Sequence, residues 1–269
     1  MIENRWSFSR YRAFVNCPKA LWLEEHSNRQ RSNLVSLNSL IGTSVHLSIS
    51  YLIDNWSKGI AISNNAIKQV GIGYIRFIWE NKKKNIIEYV NGTEIDDSLG
   101  LKFEKSLSSI LDKFFNYIWP TFINEIYLTH ENLFELNIKN YKILVKPDLV
   151  TKDALGNLVI TDWKSSVSNN NLVDSFQILT YGLWACNFYS VDPSQVTLQV
   201  INLRTGRTVK GKFSKEQMNE TFKTIEIQIK DLNKISQEQI LPAKPEFNKC
   251  MRCIHLKFCN DGKKKLTTT

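Results

Sequence analysis

No stretch of this chain approaches the roughly 18 consecutive apolar residues that a membrane-spanning helix needs, so no membrane partner is expected. The first fourteen residues hold Arg5, Arg10 and Arg12 among polar neighbours and lack the apolar core of a signal peptide. A cytoplasmic location with reduced thiols is the expectation, and five cysteines there read as ligands or packing residues, not disulfides. Acid is in deficit: 26 Asp and Glu stand against 35 Lys and Arg, for a net charge of +9. That surplus favours a polyanionic partner such as nucleic acid. There is no internal repeat. There is also no true phosphate loop, because Gly206–Phe213 (G-x4-G-K-F) lacks the closing Ser or Thr and falls on an expected hairpin. An ATPase motor in this chain is thereby excluded, and any helicase would be a separate partner. The acidic stretch 92–100 fits no calcium-loop spacing and reads as a solvated turn.

What is present is apolar material enough, 42% of 269 residues, for one sizeable core or two modest ones. Helices come first. Ser9 can cap a short helix that delivers Cys17, and Pro18 suits the first turn of a second helix over 19–26. Residues 27–38 read as a polar loop. Thr43 can cap a helix to about Trp56, and more helix is expected over 66–90 and 101–127. β-Branched and aromatic content then predicts strands at 132–139, 142–150 and 157–163, with Gly156-Asn157 in a turn. A helix over 171–188 follows, then a hairpin of 195–203 and 207–213. Ser214 and Gln217 form a capping box, after which Met218, Phe222, Ile225, Ile229 and Leu232 make one buried stripe. Pro242 and Pro245 end regular structure, and the basic, threonine-rich tail is expected to be disordered.

The chemistry concentrates around Pro147-Asp148 and Asp162-Trp163-Lys164. Residues two apart on a strand share a face, so Asp162 and Lys164 occupy a surface that Asp148 can join. Converging carboxylates repel each other unless a cation lies between them. Mg²⁺ or Mn²⁺ takes oxygen ligands of this kind and can activate water next to a phosphate. The backbone carbonyl of Trp163 is a further candidate ligand. A lysine serving as general base near neutrality costs about 4 kcal/mol in lowered pKa. Lys164 is therefore read first as a positioner of water and stabiliser of phosphate charge, and second as a base. Taken alone, Asp-x-Lys equally describes an edge ion pair. Glu135, an earlier strand acid, is a candidate for a second ion.

Cys250, Cys253 and Cys259 have no fourth cysteine nearby, and the best candidate is Cys17, almost the whole chain away. Four thiolates accept zinc or an iron–sulfur cluster, and the spacing alone slightly favours zinc. Either would clasp the two chain ends. Cys186 reads as packing, and His255 as a substitute ligand.

In this order the motifs resemble the PD-(D/E)xK nuclease superfamily, in particular its RecB-like branch, which includes helicase-linked recombination nucleases and the CRISPR-associated spacer-acquisition nuclease. Ser7-Phe8-Ser9 through Cys17-Pro18 is similar to the N-terminal cysteine motif, and Gly42 to His46 to the histidine motif. Pro147-Asp148 with Asp162-Trp163-Lys164 is similar to the catalytic motif, Gln177 and Tyr181 to the Q-x-x-x-Y helix, and Cys250, Cys253 and Cys259 to the closing cysteines. The resemblance implies an α/β fold: a restriction-endonuclease-like mixed sheet core flanked by helices. It implies a helical region over 1–130, a nuclease core over 131–240 and a cysteine-cluster segment over 241–269. It implies catalysis by Asp148, Asp162 and Lys164, with His46, Asp148, Asp162 and the Trp163 carbonyl on Mg²⁺ or Mn²⁺. Gln177 and Tyr181 would position DNA. The thiolates Cys17, Cys250, Cys253 and Cys259 would hold a [4Fe-4S] cluster, with Zn²⁺ the alternative. A metal-dependent deoxyribonuclease, an exonuclease or end-processing enzyme, is the function implied. A non-catalytic DNA-binding subunit of a recombination, repair or CRISPR adaptation complex is the alternative. One departure is Val145, where such nucleases commonly have glycine.

Overall fold

Apolar residues alternate along the central strands so that each strand feeds two cores. In the computed structural model, which describes residues 4–26, 34–165, 175–237 and 241–267, the central sheet comprises β2 (Ile126–Thr129), β5 (Leu149–Lys152), β6 (Leu158–Lys164), β7 (Val196–Asn202) and β8 (Thr208–Lys212), in that order across the sheet. β5 and β6 are an antiparallel hairpin closed at Gly156, whose φ of +80° favours glycine. β6 and β7 run parallel, with Asp162 opposite Val200 and Lys164 opposite Asn202. Leu149, Trp163 and Ile201 face one core, whereas Val150, Ile160 and Val200 face the other.

The first core is completed by α3 (Leu37–Trp56), α4 (Asn64–Glu80) and α7 (Leu99–Lys113), which follows two single turns, α5 (Lys82–Asn85) and α6 (Ile87–Val90). The second is completed by α8 (Phe176–Tyr189) and α9 (Lys215–Gln237). On α9 the predicted stripe holds: Ile225, Ile229 and Leu232 are buried, and Met218 and Phe222 pack against them. Its capping box forms in both directions, the Ser214 N–H donating to Gln217 Oε1 and the Gln217 N–H to Ser214 Oγ, each at 3.0 Å.

A smaller sheet orders β1 (Arg5–Ser7), β4 (Tyr141–Val145) and β3 (Phe134–Ile138). The expected single strand over 142–150 is in fact β4 and β5, which belong to different sheets. Pro147 separates them: it has no N–H to donate and restricts the backbone of Lys146. Asp148 therefore sits at the junction of the two sheets. Val145 ends a regular strand, paired with Phe134 and buried, so its branched side chain fits where the family often has glycine.

Other boundaries also differ from expectation. Ser36 caps α3 through its hydroxyl, leaving Thr43 inside the helix, and Ser7, not Ser9, caps α1 (Phe8–Asn16). The last residues expected to be helical over 101–127 instead open β2, after Pro120 in a short 3-10 turn. The expected loop 27–38 and helix 171–188 lie partly outside the described residues. Residues after the cysteines are helical, with α11 (Asn260–Thr267) following α10 (Phe247–Met251). Among the described residues no helix is long and apolar enough to cross a membrane.

Candidate active site

β4, the corner at 146–148, β6, α3, α8 and the N-terminal segment line a cavity of about 980 Å³. At its floor the Trp163 N–H donates to Asp148 Oδ2 at 2.6 Å, which pins the carboxylate against the neighbouring strand. The indole of Trp163 points into the core, edge-on to Phe114 and Phe122, and so fixes the backbone that makes this bond. Asp162, one residue earlier, faces the opposite side of the strand and is 1% exposed. Lys164 shares that face, as the two-residue period requires, and its ammonium lies 2.6 Å from Asp162 Oδ2.

From Lys164 a polar chain continues onto α8. The ammonium donates to Gln177 Oε1 at 2.8 Å, and the Gln177 amide donates to the Tyr181 hydroxyl at 2.7 Å. The two side chains lie one helical turn apart and reach the same cavity wall. The structure thus brings Asp162, Lys164, Gln177 and Tyr181 into one line.

His46 enters from α3. One turn earlier, Gly42 lets the helix approach the end of β6, because a Cβ there would stand 3.2 Å from Ser165 Oγ. His46 Nδ1 is 2.9 Å from Glu131 Oε1 and 3.6 Å from Asp148 Oδ1. Among the described residues, His46, Glu131 and Asp148 are the group whose donor atoms all lie within 4.8 Å of one another. Asp162 lies outside that tight group, but its charge acts on both His46 and Asp148. Glu131 was not among the sequence candidates. Glu135, which was, is a cross-strand partner of Lys142 at 3.1 Å on the exposed side of β3 and does not line the cavity.

The electrostatics are those of a crowded anionic site. Burial first, then Asp162, pushes the Asp148 carboxyl up to about 7, against the pull of His46. Burial likewise raises Asp162, against Lys164. His46 rises to about 9: burial would lower it, but Asp148 and then Glu131 outweigh that. Burial would raise Glu131, yet its bonds to His46 and Lys146 hold it below the ordinary range. Tyr181 is driven upward by burial and by the two aspartates, so its hydroxyl keeps its proton. Carboxylates packed this closely suit a divalent cation, which removes the repulsion that now raises Asp148.

Cys17, Cys250, Cys253 and Cys259 line a second, largely apolar cavity of about 380 Å³, which shares Ala13 with the first. Cys17 follows α1, and Cys250 lies on α10. Gly262 packs directly beside the sulfurs: a Cβ there would stand 3.5 Å from Cys250 Sγ and 3.6 Å from Cys259 Sγ. Burial pushes the Cys253 thiol up to about 11, with the other three cysteines adding to it. Cys186 is elsewhere, buried on α8. His255 borders the cysteine cavity.

The sequence profile of the PD-(D/E)XK nuclease superfamily matches residues 5–260. The chain belongs to this superfamily. As a PD-(D/E)XK protein it has the expected mixed sheets flanked by helices. A crystal structure of a presumed exonuclease from Eubacterium rectale is similar at 12% identity, covering 98% of this chain and 88% of that one, with a TM-score of 0.50. This likeness is one of fold. The structure of SSO0001 aligns at 19% identity over 89% of this chain and 92% of that one, with a TM-score of 0.32. No curated protein matches the sequence.

Proposed function

We propose that this PD-(D/E)XK protein is a divalent-metal-dependent deoxyribonuclease that hydrolyses phosphodiester bonds, as an exonuclease or end-trimming enzyme. One observation carries the reading: the Asp162–Lys164–Gln177–Tyr181 line along one cavity wall, facing His46 and the buried Asp148. An ion pair serving stability alone would not require two buried acids in one cavity. His46, Asp148 and Asp162 would hold Mg²⁺ or Mn²⁺, with the Trp163 carbonyl a further candidate on the same wall. The ion supplies Lewis acidity toward a phosphate and a lowered pKa for water. The protein's own groups do the rest. Lys164 places a positive charge where phosphate charge develops, and Gln177 holds that ammonium in line. Tyr181, protonated, offers a donor and acceptor to water or the DNA backbone. Arg5 and Arg12, exposed at the rim of the same cavity, favour a polyanion entering there.

The test is cleavage of end-labelled single- and double-stranded DNA with Mn²⁺, then with EDTA. Digestion from the ends that stops in EDTA supports the proposal, and DNA binding without cleavage at any metal concentration rejects it. The DNA-binding-subunit reading predicts that second result.

The cysteine cavity is proposed to hold a [4Fe-4S] cluster with a structural role. Four cysteines drawn from both ends of the sequence line that one cavity, and four thiolates can hold such a cluster. The division into a helical region, a nuclease core and a cysteine segment belongs to the same proposal, as does a separate helicase or other recombination or CRISPR protein as partner.

A further inference from the structure

We infer that Glu131 is a direct protein ligand of the divalent ion in the candidate active site, set in place by a left-handed turn that is clamped onto α3. This rests on the nuclease reading above and extends its ligand set.

Glu131 lies in the turn between β2 and β3, with φ at +49°. A non-glycine residue in this region costs on the order of 1–2 kcal/mol, so the surrounding structure must hold it there. Two devices do so. The Glu131 N–H donates to the Pro147 carbonyl at 3.0 Å, tying the turn to the corner that carries Asp148. The preceding His130 is buried and anchored: its Nε2 is 3.1 Å from Ser50 Oγ and 3.3 Å from Asp54 Oδ1, and its Nδ1 is 2.9 Å from the Tyr127 hydroxyl. Ser50 and Asp54 stand one and two turns beyond His46, so a single face of α3 presents both the clamp and the histidine. The turn and the ligand cluster thus share one rigid support.

The consequence is geometric. Glu131 Oε1 lies 2.9 Å from His46 Nδ1, and His46 Nδ1 lies 3.6 Å from Asp148 Oδ1. Adjacent ligands around an octahedral ion with bonds of about 2.1 Å are about 3.0 Å apart. Small side-chain adjustments therefore suffice to seat an ion among the three. The other oxygen, Oε2, is 2.5 Å from the Lys146 ammonium, which leaves Oε1 as the atom facing the ligands. A surface ion pair with Lys146 alone would explain neither the strained turn nor the orientation toward His46.

The test uses the full chain with its cysteine site loaded, freed of divalent ions by EDTA and dialysis, and titrated with Mn²⁺ while the free ion is followed by EPR. Glu131→Gln keeps shape and removes the charge; it should weaken Mn²⁺ binding about 10–100-fold with an unchanged far-UV spectrum. Lys146→Met removes the competing ammonium and should bind Mn²⁺ as tightly as wild type or more tightly. Binding by Glu131→Gln within threefold of wild type overturns the inference. So does a Lys146→Met loss equal to that of Glu131→Gln, which would assign the effect to the ion pair. If Glu131→Gln is recovered unfolded, Glu131→Asp, which withdraws the carboxylate by one methylene, carries the test under the same threefold criterion. A wild-type protein that binds no Mn²⁺ removes the nuclease reading as well. Wild-type binding with an unchanged variant removes the role of Glu131 alone.

Discussion

The Trp163 peptide N–H donates to Asp148 Oδ2 at 2.6 Å, so an acid at the corner between two sheets is held by the backbone of the strand that carries Asp162. That one bond places the two acidic motifs in the same cavity. Replacing Asp148 with Asn keeps an acceptor for the amide but removes the charge. Asp148→Asn should lose cleavage by at least about 10²-fold while keeping the fold, as measured by digestion rate and circular dichroism. Cleavage within threefold of wild type would remove Asp148 from the chemistry.

Lys164 and Gln177 should separate chemistry from binding. Lys164→Ala removes the ammonium that Gln177 orients and should cut the rate by about 10²–10³-fold, with DNA affinity within about threefold in a filter-binding or anisotropy assay. Gln177→Ala leaves the ammonium in place but unsupported, so its loss should be smaller. Equal losses of affinity and rate in Lys164→Ala would make it a binding residue only.

The metal-free protein should lose stability as pH rises. The folded Asp148 carboxyl titrates near 7, above its ordinary 3.8, so the folded state holds a proton that the unfolded chain releases first. Stability from this group is full below about pH 4 and falls as pH rises toward 7. His46, raised to about 9, contributes below its ordinary 6.5 and loses that contribution as pH passes through 9. The signs agree. In EDTA the melting temperature should be about 3–6 °C lower at pH 8.5 than at pH 5.5, and Mn²⁺ should recover most of the difference at pH 8.5. A flat profile in EDTA would show that these charges are not confined as described.

Much of this arrangement was legible in the sequence because it rests on local periodicity. Asp162 and Lys164 share a face by strand alternation, Gln177 and Tyr181 by helical spacing, and the α9 stripe and its Ser214–Gln217 cap follow from short-range rules. Glu131 was not legible. Its role depends on a positive φ and on His46, 85 residues earlier, and no periodicity marks either. The strand acid Glu135 was the candidate instead, although it lies opposite Leu144 and pairs diagonally with Lys142 on the outer face. The α3 start was missed because Ser36 and Thr43 both carry capping hydroxyls, and the helix uses the earlier one.

The cysteine clasp makes its own prediction. Lys19 pairs with Asp261 at 2.7 Å and the Asn91 amide donates to the Cys253 carbonyl at 3.1 Å, so α2 (Pro18–His26) and the helical layer both meet the cysteine segment. Cys250→Ser, purified without oxygen, should lose bound iron and melt at least about 5 °C lower, since the clasp closes a loop worth roughly 5 kcal/mol by the chain-entropy estimate for a crosslink. Zinc without iron in the wild-type protein, by elemental analysis, would contradict the cluster.

The most direct measurement is digestion of 5′-end-labelled DNA by wild type and by Asp162→Ala, side by side, in Mn²⁺ and in EDTA. The site described here predicts cleavage by wild type in Mn²⁺ and by neither protein in EDTA, with Asp162→Ala inactive throughout but still folded. Cleavage by Asp162→Ala at the wild-type rate would contradict it.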